Sequence, residues 1–190
     1  SLKNVGYTPD DITDVINTHL HFDHAGGNTK IEDDMIVPTF KNAKYWMSRS
    51  NWEVANSPSE KDQGSFMEDD WKVLMDSGMI SFVESESDFE NIRFISSNGH
   101  TPGMLLPVIY DNEKSLVYCA DLVPTSNHIP LPWVMAYDVQ PMITIKEKKD
   151  LYSTAVNEEW ILFFEHDPEV TACTVIHDGK HFIKNSSIDI

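Results

Sequence analysis

Three histidines and an aspartate lie within six positions near the start of the chain: His19, His21, Asp23 and His24. Imidazole nitrogens and carboxylate oxygens are ligands that zinc and other divalent transition metals accept in proteins. Packing three imidazoles beside an acid in an apolar core would leave several polar groups unsatisfied, which is energetically costly. The density of these side chains therefore predicts a metal site rather than a packed core.

The spacing of these four residues fits two neighbouring ions. His19 and His21 occupy alternate positions, so on an extended segment they point the same way, whereas Asp23 and His24 follow where a turn begins. Two ligand pairs can then face two adjacent ions. Because four ligands cannot close two sites of four or five ligands each, further ligands must come from elsewhere in the chain.

Three later segments each place a ligand-competent side chain directly after an apolar β run, where a rigid sheet can position it. Taken singly, each is equally well explained as an ordinary turn residue. Together with the dense first motif, they predict the remainder of the metal site. These residues are His100 in a Gly/Pro turn, Asp121 after Ala120, and His166 between Glu165 and Asp167.

The elements that must carry these residues alternate between helix and strand, which is typical of layered sheets with outer helices. Thr8 and Pro9 followed by two acids predict the start of a short helix, and residues 15–18 predict a strand that leads directly into His19. Further helices are predicted at residues 49–56, 66–77 and 144–156. Strands are predicted between residues 35 and 48 and at 79–84, 92–96, 104–110, 115–120, 160–164, 172–177 and 181–184, with a hairpin turn at Asp111 and Asn112.

The motif H-x-H-x-D-H formed by residues 19–24 is the signature of the metallo-β-lactamase superfamily, which this chain resembles. The resemblance continues in order through G-H-T-P-G around His100, the Ala-Asp pair at Asp121 and the strand-end His166. It implies an α/β fold, the αββα metallo-β-lactamase sandwich. Because only about eighteen residues precede His19, we expect residues 1–190 to form a single domain that lacks N-terminal strands of the first sheet.

By the same resemblance, the ligands divide between two divalent metal ions, most commonly zinc, with manganese, cobalt or iron as alternatives. His19, His21 and His100 would hold the first ion; Asp23, His24 and His166 the second; and Asp121 would bridge both. Such a pair of ions can share a hydroxide that attacks a small ester, lactone, amide or phosphotriester. Asp23 and Asp121 are the expected catalytic residues, Asp23 because it can orient the hydroxide and pass on a proton.

The identity of one candidate ligand and a later segment of the chain narrow the expected substrate class. Flavin-linked members of the superfamily carry Glu at the position of His21, so the histidine here argues against them. Residues 121–132 resemble a subgroup related to lactonases and organophosphate hydrolases, and residues 128–135 are expected to form an apolar pocket wall for a neutral substrate. His128 is predicted to be a turn histidine, Tyr137 a packed aromatic residue, and His177 and His181 surface residues.

Composition excludes some partners and leaves two alternative functions open. With 14 Lys plus Arg against 31 Asp plus Glu, the formal charge of the chain is −17, which opposes binding to nucleic acid and disfavours a nuclease of the same superfamily. A metal-binding interaction module without turnover is the other alternative. No apolar run reaches the length needed to cross a bilayer. We expect a small-molecule substrate, a cytoplasmic location, a homodimer that covers the exposed sheet face, and buried, structural roles for Cys119 and Cys173.

Overall fold

The computed structural model of the protein describes residues 2–83, 89–111 and 113–188. It consists of two compact units, Ser1–Glu84 and Ser85–Ile190, each with its own cluster of buried apolar side chains. A single domain over residues 1–190 stays a prediction. Within the described residues, no helix is both long enough and apolar enough to cross a lipid bilayer.

The first unit is built on a three-stranded parallel sheet with the strand order β1-β4-β5 and a separate two-stranded hairpin, β2-β3. Tyr45 and Met47 of the central strand are fully buried, as is Leu74. In chain order the elements are β1 (Asp14–Ile16), α1 (Phe22–Ala25), β2 (Thr29–Glu32), β3 (Met35–Pro38), β4 (Lys44–Met47), α2 (Arg49–Asn56), α3 (Lys72–Asp76) and β5 (Ile80–Phe82).

Two of the predicted helix starts in the first unit have capping residues. The helix predicted at residues 49–56 is confirmed as α2, and Ser48 caps it by accepting a 3.0 Å hydrogen bond at Oγ from the Asn51 N–H. After Thr8 the chain makes only one 3-10 turn, Pro9–Asp11, with a reciprocal capping box between Thr8 and Asp11.

One prediction for the first unit is wrong, and one strand was not predicted. The helix predicted at residues 66–77 is reduced to α3, because Phe66 forms an isolated β-bridge with His21 and Glu68–Asp70 is a 3-10 turn. β3 and β4 confirm the strands predicted between residues 35 and 48, whereas β2, which pairs with β3 in a hairpin, was not predicted. The hairpin turn places Asp33 and Asp34 at φ +50° and +61°, a conformation that aspartate tolerates better than most residues. The predicted strand at residues 79–84 is confirmed as β5, but its last residue, Glu84, lies outside the described residues.

The second unit is a six-stranded sheet with the order β11-β10-β9-β8-β7-β6. Every neighbouring pair is antiparallel except β8 and β9, which run parallel. The elements are β6 (Ile92–Ser97), β7 (Met104–Tyr110), β8 (Ser115–Tyr118), α4 (Pro141–Asn157), β9 (Ile161–Phe163), β10 (Ala172–His177) and β11 (Phe182–Ile188). The first five residues of β7 are all buried, as expected for a strand covered on both faces.

The strands predicted for the second unit are confirmed, with shifts at their ends. α4 begins at Pro141, earlier than the predicted residue 144, because proline suits the first helical position, where no N–H donor is needed. β11 continues to Ile188, well past the predicted residue 184. The predicted hairpin turn includes Asn112, which lies outside the described residues. Cys119 and Cys173 are buried free thiols, as predicted.

Candidate metal centre

In the first unit, the histidine motif follows directly from the edge of the parallel sheet. After β1, the N–H of Asn17 still donates to the carbonyl of Trp46 (2.8 Å), and the motif begins two residues later. The His19 ring centroid lies 4.6 Å from that of His21 and 4.0 Å from that of His24. His19 and His21 are buried, so the prediction that alternate positions bring their rings together is correct.

The segment between these histidines is fixed by the core. The Leu20 side chain is fully buried, and its N–H donates to Asn51 Oδ1 of α2 (2.9 Å). The ring of Phe66 lies 4.7 Å from that of His21. Asp23 and His24 belong to α1, with His24 Nε2 3.5 Å from Asp23 Oδ2 and the Asp23 side chain 43% exposed. The imidazoles of His19 and His21 are therefore held by packing, and the partly exposed Asp23 carboxylate lies beside the His24 ring.

In the second unit, the Asp121 carboxylate lies between two histidines. Its Oδ2 is 3.0 Å from His100 Nε2, and its Oδ1 is 3.3 Å from His166 Nε2. Asp121 and His100 are buried, whereas the His166 side chain is 37% exposed. Each carboxylate oxygen thus faces a different imidazole, which suits a carboxylate that ligates on both sides.

The turn that carries His100 is held by α4. Glu147 accepts hydrogen bonds from Ser97 Oγ (2.7 Å), Asn98 N–H (2.8 Å) and Gly99 N–H (3.1 Å). A charged acceptor makes these bonds stronger than neutral ones. Sequence reasoning missed Glu147, because it lies 49 positions from Asn98 and nothing in its local sequence distinguishes it from the other acids of a charged helix.

The other ring nitrogen of His100 is also paired with an acid. His100 Nδ1 lies 3.0 Å from Asp138 Oδ1, and both side chains are buried. Burial lowers the pKa of His100, but Asp121 and then Asp138 act against it through hydrogen bonds and charge, raising the pKa to about 9. The two carboxylates thus hold the two nitrogens of the ring, Asp121 at Nε2 and Asp138 at Nδ1. Asp138 was also missed, because it lies in an irregular loop 38 positions away.

The loop after β9 is fixed by Asp167, which follows His166. Burial raises the pKa of Asp167, but hydrogen bonds from Ser126 and from the backbone N–H groups of Glu169 and Val170 outweigh this effect and lower it to about 2. The ionised carboxylate therefore ties this loop to the one that follows Asp121.

The remaining predicted residues lie apart from these contacts. His128 is half-buried, with Nδ1 2.8 Å from Thr125 Oγ1, as expected for a turn histidine. His177 and His181 are exposed, as predicted. The prediction that Tyr137 packs is wrong: its side chain is 75% exposed in the loop before α4. The structure thus groups His19, His21 and His24 in one unit and His100, Asp121 and His166 in the other.

The site has a His-x-His-x-Asp-His motif after a strand, followed along the chain by a histidine, an aspartate and a last histidine. This order of residues is typical of one class of metallohydrolases. The chain belongs to the metallo-β-lactamase superfamily, whose family model matches residues 1–188. The resemblance and the α/β fold class stated from the sequence are thereby confirmed. The individual site roles stay predictions.

Known relatives include lactonases. An N-acyl homoserine lactonase of a Bacillus species is 28% identical over 176 residues, covering 88% of this chain and 61% of that protein. This chain thus spans less than two thirds of the relative's length. Among solved structures, the dizinc quorum-quenching lactonase AidC, in complex with a product, covers 100% of this chain and 69% of its own at a TM-score of 0.86 and 21% identity. A probable metal-dependent hydrolase from Staphylococcus aureus covers 99% of this chain and 68% of its own, at a TM-score of 0.84 and 26% identity.

Proposed function

We propose that the protein is a hydrolase that depends on two divalent metal ions, most readily zinc. The observation that carries this proposal is the Asp121 carboxylate, whose two oxygens face His100 and His166 separately. That arrangement supports the expected role of Asp121 as the ligand shared by two ions. A residue needed only to neutralise a histidine would satisfy one imidazole.

The donors fit the metal in number and chemistry. In this proposal His19, His21 and His100 hold one ion, Asp23, His24 and His166 hold the other, and Asp121 contributes to both. All donors are imidazole nitrogens or carboxylate oxygens, which suit zinc and its common replacements. Among the described residues of each unit, the ligand side chains are already clustered, so binding requires little additional ordering.

The reaction proposed is attack of water on an electrophilic carbonyl or phosphoryl centre. When bound, two such ions lower the pKa of water and polarise a substrate oxygen. The protein supplies geometry and proton handling. Asp121 is buried and fixed, whereas the partly exposed Asp23 carboxylate can orient the attacking water, accept its proton and pass that proton to the leaving group.

We propose a neutral lactone or ester with an apolar body as substrate. Relatives named as N-acyl homoserine lactonases support this class, as does the segment before α4, where the apolar ring of Trp133 is 61% exposed. The formal charge of −17 also disfavours polyanionic substrates such as RNA.

The test is hydrolysis by the zinc-reconstituted protein of an N-acyl homoserine lactone, an aryl ester and a phosphotriester, with RNA and a glutathione thioester as comparisons. We expect about two zinc ions per chain by elemental analysis and turnover of at least one neutral substrate. Asp121→Asn, which keeps the shape of the side chain, is the matched inactive control. Two bound zinc ions without turnover of any substrate would indicate a metal-binding module, and near-zero zinc after reconstitution would refute the metal site itself.

The predicted homodimer and cytoplasmic location are separate proposals. Sedimentation equilibrium of the zinc-loaded protein tests the first, and fractionation of cells that express it tests the second.

A further inference from the structure

Lys148 of α4 is a buried cation that the proposed reaction does not use. Its side chain is 0% exposed, although lysine is almost never fully buried without a partner. Its Nζ donates to the carbonyl oxygens of Pro130 (2.9 Å) and Trp133 (2.8 Å), with a longer contact to that of Leu131 (3.5 Å). The three ammonium protons thus match three backbone acceptors.

These acceptors belong to one irregular loop, residues 130–140, which precedes α4. The far end of the loop is held by the His100 turn: the Val139 N–H donates to the His100 carbonyl (3.0 Å), and the Gln140 N–H donates to the Gly99 carbonyl (2.8 Å). Lys148 therefore fixes the near end, and the backbone of the His100 turn fixes the far end. A loop without regular structure needs such anchors to hold one conformation.

Asp138 lies between the two anchor points. Its Oδ1 is paired with His100 Nδ1, while its Oδ2 is buried and has no hydrogen-bond partner within the described part of the chain. Burial lowers the pKa of Lys148 to about 8, and the Asp138 carboxylate acts in the opposite direction. Asp138 thus lies in the stretch of loop between the carbonyl groups bound by Lys148 and the backbone bonds to the His100 turn, so the position of its carboxylate depends on both anchors.

We propose that Lys148 is a positioning residue: by anchoring the loop of residues 130–140, it holds Asp138 against His100 and so fixes the ring of His100 for metal binding. The metal-binding part of this inference rests on the proposed function, whereas the anchoring of the loop does not. Partners that orient a metal-ligating histidine typically change metal affinity by about 10- to 100-fold.

The test compares Lys148→Met with Lys149→Met in the whole protein. Methionine keeps most of the buried volume of Lys148 but donates no hydrogen bond, and the exposed Lys149 on the same helix is the matched control. One readout is amide hydrogen exchange at Asp138, Val139 and Gln140. The other is zinc affinity, measured by competition with a chromophoric chelator.

We expect Lys148→Met to exchange these amides at least about 10-fold faster and to bind zinc about 10- to 100-fold more weakly, with Lys149→Met like wild type. A Lys148→Met protein with a lower unfolding temperature but wild-type zinc affinity would overturn the proposal, because Lys148 would then serve stability alone. If Lys148→Met fails to fold, Lys148→Gln, which retains one donor group, is measured in the same way. Failure of both variants to fold also assigns Lys148 to stability alone.

Failure of the proposed function gives a different result. If the wild-type protein binds no zinc, the metal assignment is wrong, but hydrogen exchange still tests the anchoring of the loop. Unchanged exchange in folded Lys148→Met would then overturn the anchoring as well. The cycle Lys148→Met, Asp138→Asn and the double variant adds a test of coupling, because independent residues would give additive changes in zinc affinity.

Discussion

Gly99 lies so close to Thr144 that a Cβ at Gly99 would overlap the backbone nitrogen and Oγ1 of Thr144. The first turn of α4 therefore packs directly against the backbone that precedes His100. This contact, together with the three hydrogen bonds accepted by Glu147, makes α4 the support of the His100 turn.

Gly99→Ala is expected to destabilise the protein by about 1–3 kcal/mol, because the overlap is with backbone that cannot move aside easily. The shifted turn should also weaken zinc binding through His100. Urea unfolding and zinc competition measure the two effects. Gly64→Ala is the control, since a Cβ there has no neighbour within 4 Å. Equal stability of the two variants would contradict the packing described for Gly99.

His100→Ala and Asp121→Ala are expected to abolish zinc-dependent hydrolysis, whereas His128→Ala should lower it by no more than about 10- to 100-fold. The reason is geometric. His100 and Asp121 are both buried, with His100 Nε2 3.0 Å from Asp121 Oδ2, whereas His128 is paired with the Thr125 hydroxyl. Initial rates with the best neutral substrate, together with zinc content, distinguish the three variants. A completely inactive His128→Ala that retains both zinc ions would reverse this ranking.

Two fully buried tyrosines are expected to respond differently to loss of the hydroxyl group. The Tyr152 hydroxyl has no hydrogen-bond partner among residues 2–83, 89–111 and 113–188, so Tyr152→Phe should leave stability unchanged or raise it by up to about 1 kcal/mol. The Tyr45 hydroxyl accepts from the Phe40 N–H (3.0 Å) and donates to the Asn28 carbonyl (3.1 Å). Tyr45→Phe should therefore destabilise the protein by about 1–3 kcal/mol. Thermal and urea unfolding of both variants measure the two changes in stability.

The lowered pKa of Lys148 predicts how the free energy of unfolding depends on pH in the alkaline range. Its pKa is about 8 in the folded protein and 10.5 when solvated, because burial disfavours the charged form more than Asp138 favours it. Between these values the unfolded chain binds more protons than the folded chain, so this group makes the free energy of unfolding rise with pH from about 8 to 10.5. Below pH 8 it contributes no slope. Subtracting the pH profile of the free energy of unfolding of Lys148→Met removes the contributions of the other lysines and of the tyrosines. A difference between the two profiles that stays flat or falls from pH 8 to 10.5 would contradict the lowered pKa.

Most of the candidate ligands could be found from the sequence because their positions follow from local geometry. Alternation along an extended segment places His19 and His21 together, and strand ends place Asp121 and His166 in loops. The helix at residues 49–56 could likewise be found because its Ser48 cap lies next to it in sequence. The helix predicted through Phe66 was wrong, since a tertiary bridge to His21 overrides local helix propensity there.

The sequence alone determined the superfamily and the α/β fold class, and it supplied the candidate ligands. The spacing within a six-residue motif and the order of the later candidate residues can be read without knowledge of the fold. Only the tertiary structure decided which groups support those candidate residues. Asp138 reaches His100 across 38 positions and Glu147 reaches Asn98 across 49, while Lys148 gains its role from burial against three carbonyl groups. These contacts depend on the order of the strands in the sheet and on which loops lie next to each other. Both are set by packing of the whole chain rather than by neighbouring residues.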